Sequence, residues 1–571
     1  MTSRVGPSRR LGALCGLLAA AVAMGIAQLL AGISIPAASP VIAVGEVAIN
    51  HTPLAVKDWA TSTFGTNDKT VLLLGVFVVV FLYAMVVGIL AVRRLTAGFA
   101  GLALFAIIGA AAALTRHGAT ATYALPTIGG ALVGAFALYR LVVTARAASA
   151  AAASARAART PGELPPIAFE TAEGGGPDDF TGPDAEELRA PALPGTGGPP
   201  SWAPSGGMRV GPGGSTARRT FLATAGVTVA AAAIGEIGGR SLATRKNVSA
   251  ARSAIRLPRA AFPAPPLPAG VNLPVPGISP FVTPNSSFYR IDTALLVPQV
   301  DPANWQLRVH GMVEREIVIT FDELLKKPLL EDYVTLCCVS NPVDGPYISN
   351  AKWLGASLAS LVRSARPLRG ADQLLSTSSD GFTAGSPLSV VLDSGRDSLV
   401  AVAMNGTTLP TEHGFPARLV VPGLYGYVSA CKWVVDLEVT TFAKAAGYWI
   451  PLGWSQMGPI KTECRIDVPT PGTSVKAGKA AVAGVAWAQH KGIEAVEVRV
   501  DNGAWNEATL AIVPGIDTWR QWVWQWDATA GSHLIEARAT DKTGYTQTSL
   551  TAPVAPNGAS GYPSARVNVT A

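Results

Sequence analysis

The chain has 571 residues, of which 49% are hydrophobic and 15% charged, with a formal net charge of +7. So apolar a composition excludes a purely soluble protein of this length, and part of the chain belongs in lipid. No segment reads as a nucleic-acid-binding element.

Four apolar blocks come first: 11–33, 71–92, 97–114 and 123–143 each approach the roughly 20 residues that cross a hydrocarbon core. They make residues 1–145 a bundle of four transmembrane helices. Basic residues retained on the cytoplasmic side set the orientation. Arg4, Arg9 and Arg10 precede the first span, Arg93 and Arg94 join the second to the third, and Arg140, Arg146 and Arg156 follow the fourth. The N-terminus is therefore expected inside. Residues 146–215 begin Ala-rich and then become dense in Gly, Pro, Asp and Glu. That composition cannot bury enough surface to offset its ordering entropy, so a disordered cytoplasmic linker is expected.

A fifth span is expected at 216–240, where Arg218-Arg219 stands before Phe221-Leu222 and a weak apolar run. The dipeptide resembles a twin-arginine export signal; the other reading is an ordinary cytoplasmic stop. Either one puts the rest of the chain outside the membrane. His117 is the only histidine close to the end of a span, whereas a haem held between helices usually needs more than one axial ligand. The bundle thus reads as a multi-pass anchor and an interaction surface rather than as redox wiring.

From about 255 the chain is globular. A Pro-rich arm at 257–277 is confined to extended or turn conformations. WQLRVHGMVEREIVITFDELL (305–325) then reads as short strands around a turn, followed by a helix whose Thr320 and Glu323 form a capping-box pattern. Past 465 the pattern changes to short strands between turns, among them AVEVRVDNGAW with its Asn-Gly turn. In WRQWVWQWD, Trp522, Trp524 and Trp526 share one face, as core or interface residues of an antiparallel sandwich.

Cys337, Cys338, Cys431 and Cys464 lie in this half, an even count that first suggests two disulfides. A bond between the neighbours Cys337 and Cys338 would strain the intervening peptide, while bonds from Cys337 to Cys431 or Cys464 stay open. No Cys or His pair has zinc-site spacing, and no CxxC supports a thiol–disulfide catalyst. A single thiolate still binds a metal whose other ligands come from a cofactor.

TLCCVSNPVDG, NAKWLGASLASL and MNGTTLPTEHGFPARLVVPGLYGYVSACKWVVDLEV resemble the sulfite oxidase family of molybdopterin oxidoreductases, over about 280–465. The family's T-L-x-C pattern implies Cys338 as the molybdenum ligand, with Cys337 at a variable position. The resemblance further implies a molybdenum–molybdopterin cofactor held by His413, Arg418 and Lys432 and by the backbone of Ser429 and Ala430. In NSSFYRID (285–292), Arg290 falls where the family faces its substrate anion, and Asn285 and Tyr289 fall at cofactor contacts. Tyr448 matches a tyrosine near the metal.

The implied fold is multi-domain. An α-helical transmembrane bundle is followed by a mixed α+β, sulfite-oxidase-like molybdopterin-binding core at 255–464. An all-β, immunoglobulin-like dimerisation domain at 465–571 ends the chain, with a homodimer as its consequence. The implied activity is two-electron oxygen-atom transfer on a small substrate such as sulfite, outside the cytoplasmic membrane. No cytochrome b5, CxxCH or iron–sulfur motif is present in the sequence, so electrons are expected to pass to a separate cytochrome or membrane redox partner. Two departures bear on substrate. Pro342-Val343-Asp344 replace basic residues that follow the family cysteine, and Ile291-Asp292 replace Asn-His. Fewer cations and an added carboxylate should weaken binding of sulfite dianion. The alternatives are a sulfoxide or other S/N-oxide reductase of the same family, or a non-catalytic cell-surface binding protein on this scaffold.

Overall fold

The computed structural model describes residues 7–53, 68–116, 118–157, 213–245 and 248–571, with a few more between 56 and 64. Arg4, His117 and residues 158–212 of the expected linker lie outside the described residues. The N-terminal part is helical: α1 (Arg9–Ile33), α2 (Pro40–His51), α3 (Asp68–Arg93), α4 (Leu95–Leu114), α5 (Leu125–Ala157) and α6 (Gly213–Arg245). Five segments are long and apolar enough to cross a membrane, Arg9–Ile33, Lys69–Arg93, Leu95–Leu114, Ala121–Ala155 and Thr216–Gly239.

Packing among these helices rests on small residues that allow close backbone approach, the pattern expected of helices in lipid. The central α1 touches α3, α5 and α6 and buries Ala19, Ala23, Ala27 and Ala31. A Cβ added at Gly16 would stand 1.9 Å from the Ala84 carbonyl oxygen. Leu74, Leu82, Ile107, Leu132, Phe136 and Ile234 point outward instead.

The first twelve residues of the linker expected at 146–215 are helical, because α5 continues through the Ala run to Ala157, alanine being the strongest helix former. Arg146 fastens this extension, donating to the Ala91 and Val92 carbonyls at 3.1 and 3.0 Å.

The globular half starts before residue 255. In the short helix Ser249–Ala254, Arg252 already donates to the Leu409 and Thr408 carbonyls at 2.7 and 3.1 Å. Its strands, in chain order, are β1 (Gln306–Gly311), β2 (Ile317–Thr320), β3 (Leu329–Cys337), β4 (Ile348–Ser357) and β5 (Gln373–Ser378). Then come β6 (Thr383–Pro387), β7 (Leu399–Met404), β8 (Thr407–Thr408), β9 (Arg418–Val420) and β10 (Val434–Thr440). One sheet runs β2-β1-β10-β5-β6 and another β3-β4-β7-β8, with β9 also on β7. Thr320 and Glu323 close a full capping box on the helix Phe321–Leu325, which satisfies two otherwise unpaired donors.

Two more sheets follow, one containing Glu463–Val468, Gly478–Trp487 and Arg520–Ala528, the other Ile493–Val500, Gly531–Asp541 and Ser564–Thr570. They share an apolar core to which one contributes Val482, Trp522 and Trp526 and the other Val496, Ala537 and Val567; Trp524 packs beside it. The first of these strands starts at Glu463, two residues ahead of the boundary expected at 465. Trp519 belongs elsewhere: its indole donates to the Phe281 carbonyl at 2.8 Å and its backbone N–H to Thr335 at 2.7 Å. The two globular parts therefore interlock.

Candidate active site

Strand alternation separates the two adjacent cysteines. β3 ends at Cys337, whose side chain is 1% exposed in the central core beside Tyr425 and Val428. Cys338 is the next residue and faces the other way, into a cavity also lined by Tyr289, His413, Arg418, Ala430 and Lys432. The cavity has a volume of about 130 Å³ and opens to solvent. Phe288, Phe382, Trp433, Trp449 and Trp454 form an aromatic wall.

Burial raises the pKa of both thiols, but the environments diverge. Glu463 nearby pushes Cys337 further up, whereas hydrogen bonds from Ser340 and the charge of Lys432 pull Cys338 down. All five cysteines are free, so no disulfide joins Cys337 to Cys431 or Cys464.

Arg418 opens β9, paired opposite Ala401 of β7. The approach depends on Gly414, at φ 111°, where a Cβ would lie 2.9 Å from the Arg418 Cβ. Its guanidinium is buried, stands 5.0 Å from the Trp353 ring centroid and donates to the His413 and Ala430 carbonyls at 3.2 and 3.4 Å. Among the described residues it has no carboxylate partner, and burial lowers its pKa to about 10. An unpaired buried cation costs several kcal/mol, roughly 3–5 when a partner is lost. An anion in the cavity would offset that cost.

His413 meets the Asn285 carbonyl at 3.3 Å and sits edge-on to Phe288. Burial, helped by Arg418 and Lys432, lowers its pKa to about 4, so the ring is neutral at pH values well above that. Lys432 donates to Asp292 at 2.7 Å and to the Glu412 carbonyl at 3.1 Å; burial lowers it to about 8 against the pull of Asp292. Burial alone would raise the Asp292 carboxyl, but Lys432, Lys69 and Arg290 together hold it well below the usual range.

Four expected site residues do not line the cavity. Arg290, 39% exposed, turns its guanidinium to Asp292 at 2.9 Å. Asn285 lies behind His413, its amide bonded to Thr407 and Asn405. Ser429 is buried with its hydroxyl on the Leu424 and Tyr425 carbonyls, both at 3.0 Å. Tyr448 points away, its hydroxyl donating to Asn50 of α2 at 2.6 Å. Its neighbour Trp449 lines the cavity instead, its ring edge-on to Tyr448 with centroids 5.2 Å apart. The sequence reading missed Trp353, Trp449 and Trp454; KWLG and YWIP offered only an apolar pattern shared with the core.

Among the described residues no three His, Cys, Asp or Glu side chains cluster as a metal cage. The oxidoreductase molybdopterin binding domain family matches residues 294–449. Chicken (Gallus gallus) sulfite oxidase is 30% identical over 326 residues, covering 48% of this chain and 70% of that protein. The chain belongs to the sulfite oxidase family. The mitochondrial sulfite oxidase of Rattus norvegicus is 29% identical over 272 residues, 40% of this chain and 49% of that one. An NADPH nitrate reductase of Emericella nidulans is 31% identical over 183 residues, 28% of this chain and 21% of the enzyme. The chain thus spans well over half of the chicken relative but only about half of the rat one.

Membership makes the protein a molybdenum-dependent oxidoreductase and implies a molybdenum–molybdopterin cofactor. The donor set of the cavity fits that group. A lone thiol suits a soft metal whose remaining ligands are not protein, and the unpaired Arg418 suits an anionic appendage.

Proposed function

We propose that the cavity holds molybdopterin with Cys338 as the protein ligand to molybdenum, and that it carries out oxygen-atom transfer on a small substrate such as sulfite. The observation that carries this reading is Arg418, buried and, among the described residues, without a counter-ion, in the same cavity as the thiol of Cys338. When bound, the cofactor supplies an exchangeable oxygen and accepts or returns two electrons.

The chain's own residues position the reactants. Cys338 offers a thiolate once its proton is displaced, and Cys337, facing the core, packs. Arg418 and Lys432 hold anionic and polar edges of the cofactor, while neutral His413 serves as a hydrogen-bond partner that adds no charge. Ala430 brings backbone to the cavity, Ser429 fixes that turn from behind, and Asn285 fixes His413. Tyr289 closes the wall beside Cys338. Arg290 acts at one remove, through Asp292. The aromatic wall of Phe382, Trp449 and Trp454 favours a second reading, reduction of a sulfoxide or other S/N-oxide with an apolar substituent.

The five apolar helices anchor the protein with N-terminus and linker in the cytoplasm, and the globular half lies outside. Arg93, Arg94 and Arg146 gather at the end of the bundle opposite Lys69, which supports this orientation. Arg218-Arg219, at the same end, acts as a twin-arginine signal. A separate cytochrome or membrane carrier exchanges electrons, and the C-terminal sheets form an immunoglobulin-like domain that pairs two copies.

A metal assay on paired variants tests the core of this proposal. Cys338→Ser should lose bound molybdenum and at least about 100-fold in activity, as for loss of a key metal-site group, while Cys337→Ser keeps both. Equal loss in the two variants would overturn the assignment of the ligand.

A further inference from the structure

Asp292 is the added carboxylate that the sequence sets against binding of an anion. Its surroundings reverse that expectation. The carboxylate, 4% exposed, is shared by Lys432 at 2.7 Å, Arg290 at 2.9 Å and Lys69 at 2.5 Å. Lys69 stands 223 residues away in sequence, at the head of α3, and also donates to the Ala294 carbonyl at 2.7 Å.

The contact is one of several that seat the helical half on the globular half. Asn50 of α2 accepts from Tyr448 at 2.6 Å. Gly45 lies so close to Leu295 that a Cβ there would be 2.7 Å from its Cδ1. Arg116, just past α4, braces α2 through Glu46 at 2.7 Å and the Ala37 carbonyl at 2.5 Å. Thr293, Asp380 and Phe382 line both the Cys338 cavity and a cleft walled by Glu46, Ile49 and Asn50.

We propose that the helical half completes the active site, with Lys69 as a positioning residue that shares Asp292 with Lys432 and Arg290 and so leaves the cluster cationic toward an anionic substrate. This rests on the function proposed above. Asp292 and Asp380, the carboxylates lining the cavity, stand against Lys69, Lys432, Arg290 and Arg418 and leave positive charge in a partly desolvated site, where it acts strongly on an anion. Without Lys69 the Asp292 carboxylate would be drawn wholly onto Lys432 and Arg290 and would cancel much of their attraction. The anchor is then part of the pocket as well as a tether.

The test uses the full chain in detergent, loaded with molybdenum, with sulfite as the probe. Lys69→Met should raise the sulfite KM and the calorimetric sulfite Kd by roughly tenfold, the equivalent of ~1.4 kcal/mol, with kcat within about twofold; Lys69→Arg should restore both. An unchanged KM and Kd in Lys69→Met overturns the proposal. A second readout needs no turnover: acylation by an N-hydroxysuccinimide ester, read by mass spectrometry. Lys69 should label several-fold more slowly than Lys479, a surface lysine 73% exposed, and Asp292→Asn should accelerate it. Equal labelling of the two lysines in the wild-type chain also overturns the proposal. A chain that carries molybdenum but leaves sulfite unbound sinks the sulfite reading alone, and the labelling still decides whether Lys69 is held by Asp292.

Discussion

The helical and globular halves bury opposite kinds of side chain. In the helices alanine and glycine make up much of the interior, beside a few larger residues such as Leu138, Leu141 and Phe221, while many leucines and isoleucines face out. In the globular half Trp305, Trp353, Trp433, Trp487 and Phe415 are the interior. Small residues that let backbones approach closely are the pattern expected of helices packed in lipid, whereas water drives large apolar groups inward. Polar chemistry concentrates where the two halves meet the cavity, around Asp292, because there a carboxylate is dry enough to hold three cations yet satisfied by them.

Deleting volume in the water-driven core should have the largest effect. Trp353→Ala, beneath Arg418, should cost about 3–5 kcal/mol, measured by denaturant unfolding of the full chain in detergent; a cost below about 1 kcal/mol would mean the site can collapse around the gap. In the helical half the rule inverts, and adding volume should hurt. Gly16→Leu should destabilise by about 1–3 kcal/mol, read as a lower Tm in detergent. The outward Leu82→Ala should stay within ~0.5 kcal/mol, and a larger loss for Leu82 than for Gly16 would reverse the contrast.

A pH slope separates the halves in another way. Burial raises the Glu463 carboxyl from 4.5 to about 8, with only a partial offset from Lys461. The folded chain therefore keeps a proton that the unfolded chain has released, and stability falls as pH rises between those values. Glu463→Gln should flatten this part of the Tm profile; an unaltered slope would place the titration elsewhere.

Much of the chemistry was legible locally. TLCC and HGFPAR carried the family and its cofactor, and the apolar blocks carried the helices, because both signals lie within short windows of sequence. Helix ends were less legible: nothing in the Ala run before 157 marks a stop, so propensity carried α5 on. Side-chain direction at turns was not legible either, which is why Tyr448 was expected at the cavity and Trp449 was not.

By itself the sequence determined which residue types were available, the two periodicities and, through the T-L-x-C resemblance, which of Cys337 and Cys338 is the expected ligand. Tertiary structure alone decided the charge of the site. Asp292 read as a lost attraction while only its neighbours in the chain were in view. Its meaning changed when folding brought Lys69 to within 2.5 Å across 223 residues, because Coulomb interactions depend on distance in space and on the dryness of the site, and neither is written in local sequence.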